Sequence, residues 1–149
     1  MSCCNKFKKS ALDAYSITPR TYLTNNNIIY DNAYINNGQS IQYTVGSSTA
    51  NIVKSGLYLV MFSADAIASV AGDISFQLFR NGVAVPAALA TVTAANTTDT
   101  NNLTLHTLIS VDDSCCCSGI GLSQIPLVIT NTGVGVNVTN AKLDIIKLA

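Results

Sequence analysis

Gly56-Leu57-Tyr58-Leu59-Val60-Met61-Phe62-Ser63-Ala64 is the stretch that decides the fold. It follows a turn-forming Lys54-Ser55 pair, and its apolar side chains occupy odd and even positions alike. At nine residues, rich in β-branched and aromatic types, it reads as a strand. A strand that is apolar on both faces is covered on both, either by a second sheet or by another subunit.

Working outward, Ile74, Phe76 and Leu78 alternate with Ser75, Gln77 and Phe79. That run closes on Arg80-Asn81-Gly82-Val83, and an Asn-Gly pair between apolar runs is the strongest short hairpin signal. Upstream, residues 28–30 and 41–45 are short β-like runs behind the turn clusters Asn25-Asn26-Asn27 and Asn36-Asn37-Gly38. Downstream, residues 94–102 form a polar loop. Leu103, Leu105, Ile109 and Val111 then share one strand face, with Thr104, His106 and Ser110 on the other. Residues 125–130, 134–138 and 143–148 complete the set, separated by Asn131-Thr132-Gly133 and Asn140-Ala141. Roughly eight to ten short strands with turns between them predict an all-β antiparallel sandwich or jelly roll. Residues 1–20 carry no sustained period, and Pro19 ends whatever precedes it. They are predicted to be an extended arm, with residues 21–149 as the single domain.

Composition agrees. Of 149 residues, 48% are hydrophobic and only 11% charged, against about 25% charged in ordinary soluble domains. Glutamate and tryptophan are absent, so helix formers are scarce where Val, Ile and Thr abound. The formal net charge is zero and there is no basic stripe, which argues against a nucleic-acid partner. A chain without net charge has little protection against association, which suits a protein that assembles. No apolar run approaches the roughly 20 residues of a membrane span. Ser10-Ala11-Leu12-Asp13-Ala14-Tyr15, after the lysines at 6, 8 and 9, is no signal-peptide core, so Sec export is not expected.

Taken in order, Ser55-Gly56-Leu57-Tyr58-Leu59-Val60-Met61-Phe62-Ser63, Phe76-Gln77-Leu78-Phe79-Arg80-Asn81-Gly82 and Ala141-Lys142-Leu143-Asp144-Ile145-Ile146-Lys147-Leu148-Ala149 resemble a known family. They are similar to the C-terminal C1q/TNF-like domain of BclA-type collagen-like exosporium proteins. The resemblance covers about residues 26–149 and implies a jelly-roll homotrimer. A collagen-like stalk is missing, and in its place stands a short arm with Cys3 and Cys4. That arm resembles the connector of bacillar endospore-appendage subunits, which implies a trimer joined head-to-tail into a fibre. Ile17, Tyr22 and Leu23 are then the expected docking residues of the arm, adding a strand to a sheet edge of the next unit. The implied location is the spore surface, reached without a signal peptide through the mother cell. The implied partners are further copies of the chain, with exosporium anchor and tip proteins. A non-polymerising trimeric module, either a spore adhesin or a phage head-fibre or receptor-binding tip, is the alternative.

Five cysteines form two clusters, Cys3-Cys4 and Cys115-Cys116-Cys117. Adjacent cysteines have Cα atoms about 3.8 Å apart, whereas an unstrained bridge wants roughly 5.5 Å, so each cluster looks outward for partners. The odd total and the two separated clusters suit intersubunit disulfides. Unpaired or intrachain cysteines, lipidation of the arm and a metal site stay open. The spacing is not the C-x₂₋₄-C of structural zinc, and no lipidation motif supports the third reading.

Chemistry that an enzyme needs is not assembled. His106 is the single histidine and has no nucleophile motif beside it, so packing or an interface is its expected role. Asp112-Asp113 reads as a solvated turn. No phosphate loop or G-x-S-x-G elbow is present, so no cofactor is expected.

Overall fold

The central strand takes up the decisive stretch and runs past it. A computed structural model describes residues 9–112 and 124–149, and among these the chain forms eleven strands and no helix. They are β1 (Ala11–Ser16), β2 (Arg20–Tyr22), β3 (Asn32–Asn37), β4 (Ile41–Tyr43), β5 (Ala50–Ile52), β6 (Gly56–Ala68), β7 (Gly72–Arg80), β8 (Val83–Ala94), β9 (Asn101–Val111), β10 (Ile125–Asn131) and β11 (Val136–Lys147). The larger sheet has the order β3-β1-β11-β6-β9, with β2 paired to the first part of β11. The smaller has the order β4-β5-β10-β7-β8. Every pairing is antiparallel, and neighbours distant in sequence lie side by side, as in a jelly roll.

Strand β6 explains why the two sheets close on each other. Tyr58, Val60, Phe62, Ala64, Ala66 and Ala68 are buried at alternate positions, so one face of the strand is wholly core. Opposite them the smaller sheet supplies Ile74, Phe76, Leu78, Leu127 and Ile129. Phe62 and Phe76 meet edge-on with ring centroids 5.4 Å apart, a pairing that adds about 1 kcal/mol beyond the buried area. The hairpin of β7 and β8 forms at the Asn-Gly pair as predicted. Asn81 and Gly82 both have positive φ, 50° and 80°, the conformation such a two-residue turn requires.

Three expectations are corrected. The arm does not extend to residue 20, because β1 threads between β3 and β11 and buries Leu12 and Ala14. Its alternation is only six residues long, too short to stand out as a period ahead of Pro19. The domain therefore includes residues 11–20. Residues 28–30 are not a strand, although Ile28 and Tyr30 are buried. Asn140 and Ala141 do not separate two strands either. They continue β11 through a register shift between Val138 and Asn140.

Candidate functional site

The two outer faces of the sandwich differ in chemistry. On the smaller sheet Ser75, Thr91, Thr93 and Asp73 pair among themselves, beside the partly buried Phe79 and Val128 and the exposed Leu89. Ser75 Oγ lies 3.2 Å from Thr91 Oγ1 and accepts from Thr132 Oγ1 at 3.0 Å, while Thr93 Oγ1 donates to Asp73 at 2.7 Å. On the larger sheet the outward side of β6 is apolar from Leu57 to Met61 and only partly buried, and turns polar at Ser63 and Asp65. Leu57, Leu59 and Met61 alternate with the buried residues and are only half-covered.

Register turns these side chains into rows that cross the sheet. Ala11 opposes Ile146, Ile146 opposes Leu59, and Leu59 opposes Leu108, so one apolar row spans β1, β11, β6 and β9. Leu108 is 58% exposed, so the row ends at the surface. The next row reads Ile35, Asp13, Asp144, Met61 and His106, and the one after it includes Tyr15, Lys142, Ser63 and Thr104. With β1 contributing six residues and β11, β6 and β9 eleven to thirteen each, at about 3.3 Å per residue and about 4.8 Å between strands, the face covers roughly 670 Å².

A carboxyl pair sits inside this face. Asp13 and Asp144 are direct cross-strand partners. Lys142 Nζ lies 3.4 Å from Asp13 Oδ2 and 3.9 Å from Asp144 Oδ2. Asp13 Oδ1 is buried with no hydrogen-bond partner. Burial, and then the charge of Asp13, push the Asp144 carboxyl up to about 6 against the opposing pull of Lys142. Farther along β6, Asp65 is held below the usual carboxylate range by the amides of Asn102 and Asn140, each donating at 2.8 Å. Two grooves open on the face. One of about 500 Å³ is lined by Asp13, Tyr15, Ile17, Tyr34 and Lys142, and one of about 380 Å³ by Met61, Ser63, His106, Lys142 and Asp144.

The expected docking residues divide. Tyr22 is buried in its own domain, where its hydroxyl accepts from the Ile29 amide at 3.1 Å, so it is core and not a free docking group. Ile17 and Leu23 are exposed, at 71% and 64%. Cys3, Cys4, Cys115, Cys116 and Cys117 lie outside the described residues. His106 is exposed and faces Met61 across β6 and β9. Among the described residues no group of three or more His, Cys, Asp or Glu side chains is placed to hold a metal ion. Sequence reading missed the Asp13, Lys142 and Asp144 set. Its signal was a carboxylate flanked by apolar residues, Leu12-Asp13-Ala14 and Leu143-Asp144-Ile145, and only register joins the two.

No protein-family model matches the chain, and no curated protein matches it in sequence. Solved structures do match in fold. The globular domain of zebrafish complement 1qA protein superposes with a TM-score of 0.68 at 8% identity, over 95% of this chain and 98% of that one. The Eiger TNF of S. frugiperda gives 0.65 at 14% identity, over 95% and 94%. PRD1 vertex protein P5 gives 0.58 at 15% identity, over 94% and 97%. The chain has the C1q/TNF-like jelly-roll fold.

Proposed function

We propose that this chain is a structural protein that associates with copies of itself through the outer face of its larger sheet. The observation that carries the reading is β6, whose inner side is wholly buried while Leu57, Leu59 and Met61 on its outer side are only partly buried. Leaving Leu57, Leu59, Met61, Ile146 and Leu108 in water forgoes roughly 25 cal/mol for each Å² that a partner would cover. A face of roughly 670 Å² is close to the roughly 800 Å² that a standard interface takes from each partner. A second copy fits as occupant because the long edge strands β8 and β9 carry no Asp, Lys or Arg to repel it. Packing the β8–β9 edge of one copy against the sheet face of the next is heterologous, and such a contact closes into a ring where the rotation between copies closes. Three copies is the stoichiometry that the C1q/TNF-like fold favours.

On this reading residues 1–8 link one ring to the next, and disulfides between Cys3 or Cys4 and the 115–117 cluster lock a spore-surface fibre. What supports the extension is the placement of the clusters, one ahead of β1 and one between β9 and β10. Electron microscopy with and without reductant tests it. Fibres that need the cysteines and residues 1–8 support the extension. Discrete rings unaffected by reductant favour the binding-module alternative.

A further inference from the structure

The apolar row and the carboxyl pair cannot be covered separately. Asp13 and Asp144 lie one row from Ala11 and Ile146, about 7 Å along the strands, so a copy seated on Ile146 and Leu59 also covers the pair. The pair brings two carboxylates and one nearby cation, Lys142, at 3.4 and 3.9 Å. Among the described residues its surroundings offer no second strong cation. Strand β3 presents Ile35 opposite Asp13, and β6 presents Met61 and Ser63, with Asp65 already held by Asn102 and Asn140. Strand β9 presents His106 beyond Met61, and β1 adds Tyr15 beside Lys142. Asp13 Oδ1 is already without a donor.

Resting on the self-association reading, we propose that docking of a second copy on this face is coupled to proton uptake by the Asp13–Asp144 pair, so that association tightens as the solution becomes mildly acidic. Removing water disfavours the charged form of a carboxyl group, and two carboxylates side by side disfavour it further. One proton taken from solvent and shared by the pair leaves a single negative charge, which Lys142 matches. The isolated domain already leans this way, with Asp144 raised to about 6 chiefly by burial. Burial beneath a partner extends the same effect, and each further unit is a tenfold change in the association constant per site.

Sedimentation velocity of the reduced full chain over a dilution series, at about pH 5 and about pH 8 and constant ionic strength, tests the coupling. Wild type is expected to half-associate at a concentration about tenfold lower at the acidic pH. Asp144→Asn is expected to associate at pH 8 as tightly as wild type does at pH 5, with the dependence lost, and Asp13→Asn, which removes the neighbouring charge but leaves the Asp144 carboxyl, to weaken the dependence. His106→Gln is expected to keep it. Equal association of wild type at both pH values overturns the coupling but leaves self-association standing, as does loss of the dependence in His106→Gln alone. Wild type monomeric at both pH values overturns both.

Discussion

Leu59 and Ile146 oppose each other across β6 and β11 on the outside of the larger sheet, with Leu108 and Ala11 extending the contact to either side. A row of four apolar side chains at the surface is the far side of a strand whose near side is the core. The same strand therefore builds the domain and carries the face proposed for self-association.

The pH dependence of folding follows from Asp144. Its folded carboxyl is raised above the ordinary 3.8, to about 6, so the folded state binds the proton more tightly. The contribution is fully present below about pH 3.8 and is lost as pH rises through about 6. Urea denaturation of dilute, reduced protein is expected to show stability falling between about pH 4 and 6.5 by about 1 kcal/mol, since the group is only partly buried and solvent screens it. Asp144→Asn is expected to flatten that window and to be the more stable protein at pH 7. Asp65, whose pKa is lowered, has the opposite sign, and its contribution disappears only as pH falls below the same 3.8.

Gly56 is required by a close approach. Its φ is +149°, Leu57 donates its amide to the Ala149 carbonyl at 3.0 Å, and an added Cβ would collide with that carbonyl oxygen. Gly56→Ala is expected to destabilise by about 2 kcal/mol or more. Gly82, at φ +80° with open space around it, is expected to lose only about 1 kcal/mol on the same change. Urea midpoints of the two variants give the comparison.

Gln77 holds a bulge. It is buried on β7, and its Nε2 donates to the carbonyls of Val85 at 2.6 Å and Ala88 at 3.0 Å, where β8 leaves register around Pro86. Gln77→Leu leaves both carbonyls without that donor and is expected to lower stability by about 2 kcal/mol in the same denaturation experiment.

Two tyrosines in one cluster are expected to respond in opposite ways. Tyr30 is fully buried, its ring lies 6.4 Å from that of Tyr43, and its hydroxyl has no partner. Removing that hydroxyl in Tyr30→Phe is expected to be neutral or stabilising by up to about 1 kcal/mol. Tyr43 donates its hydroxyl to the Tyr30 carbonyl at 2.7 Å, so Tyr43→Phe is expected to lose about 1 kcal/mol. Thermal unfolding of both variants separates them.

Much of the fold was legible because its strongest strands are long and patterned. β6, the Asn-Gly hairpin and the buried face of β9 all follow from period two and turn chemistry. Strand β1 escaped because its inward face is only Leu12, Ala14 and Ser16. Strand β11 looked like two because a bulge puts Asn140 inside it. The site was legible by half. Two apolar faces on β6 pointed to cover on both, by a second sheet or by another subunit, but the carboxyl pair comes from strands at opposite ends of the chain, and only register brings Asp13 to Asp144.

Self-association through this face is read from the mass of the reduced protein in solution, wild type against Leu59→Lys, by sedimentation equilibrium at micromolar concentration and about pH 6. Lysine at a half-covered strand position is expected to change folding stability by about 1 kcal/mol or less, checked by circular dichroism. Wild type is expected to sediment as a closed oligomer with the mass of three chains, and Leu59→Lys as a folded monomer. A wild type that sediments as a monomer, or a Leu59→Lys variant that assembles as well as wild type, would contradict self-association through this face.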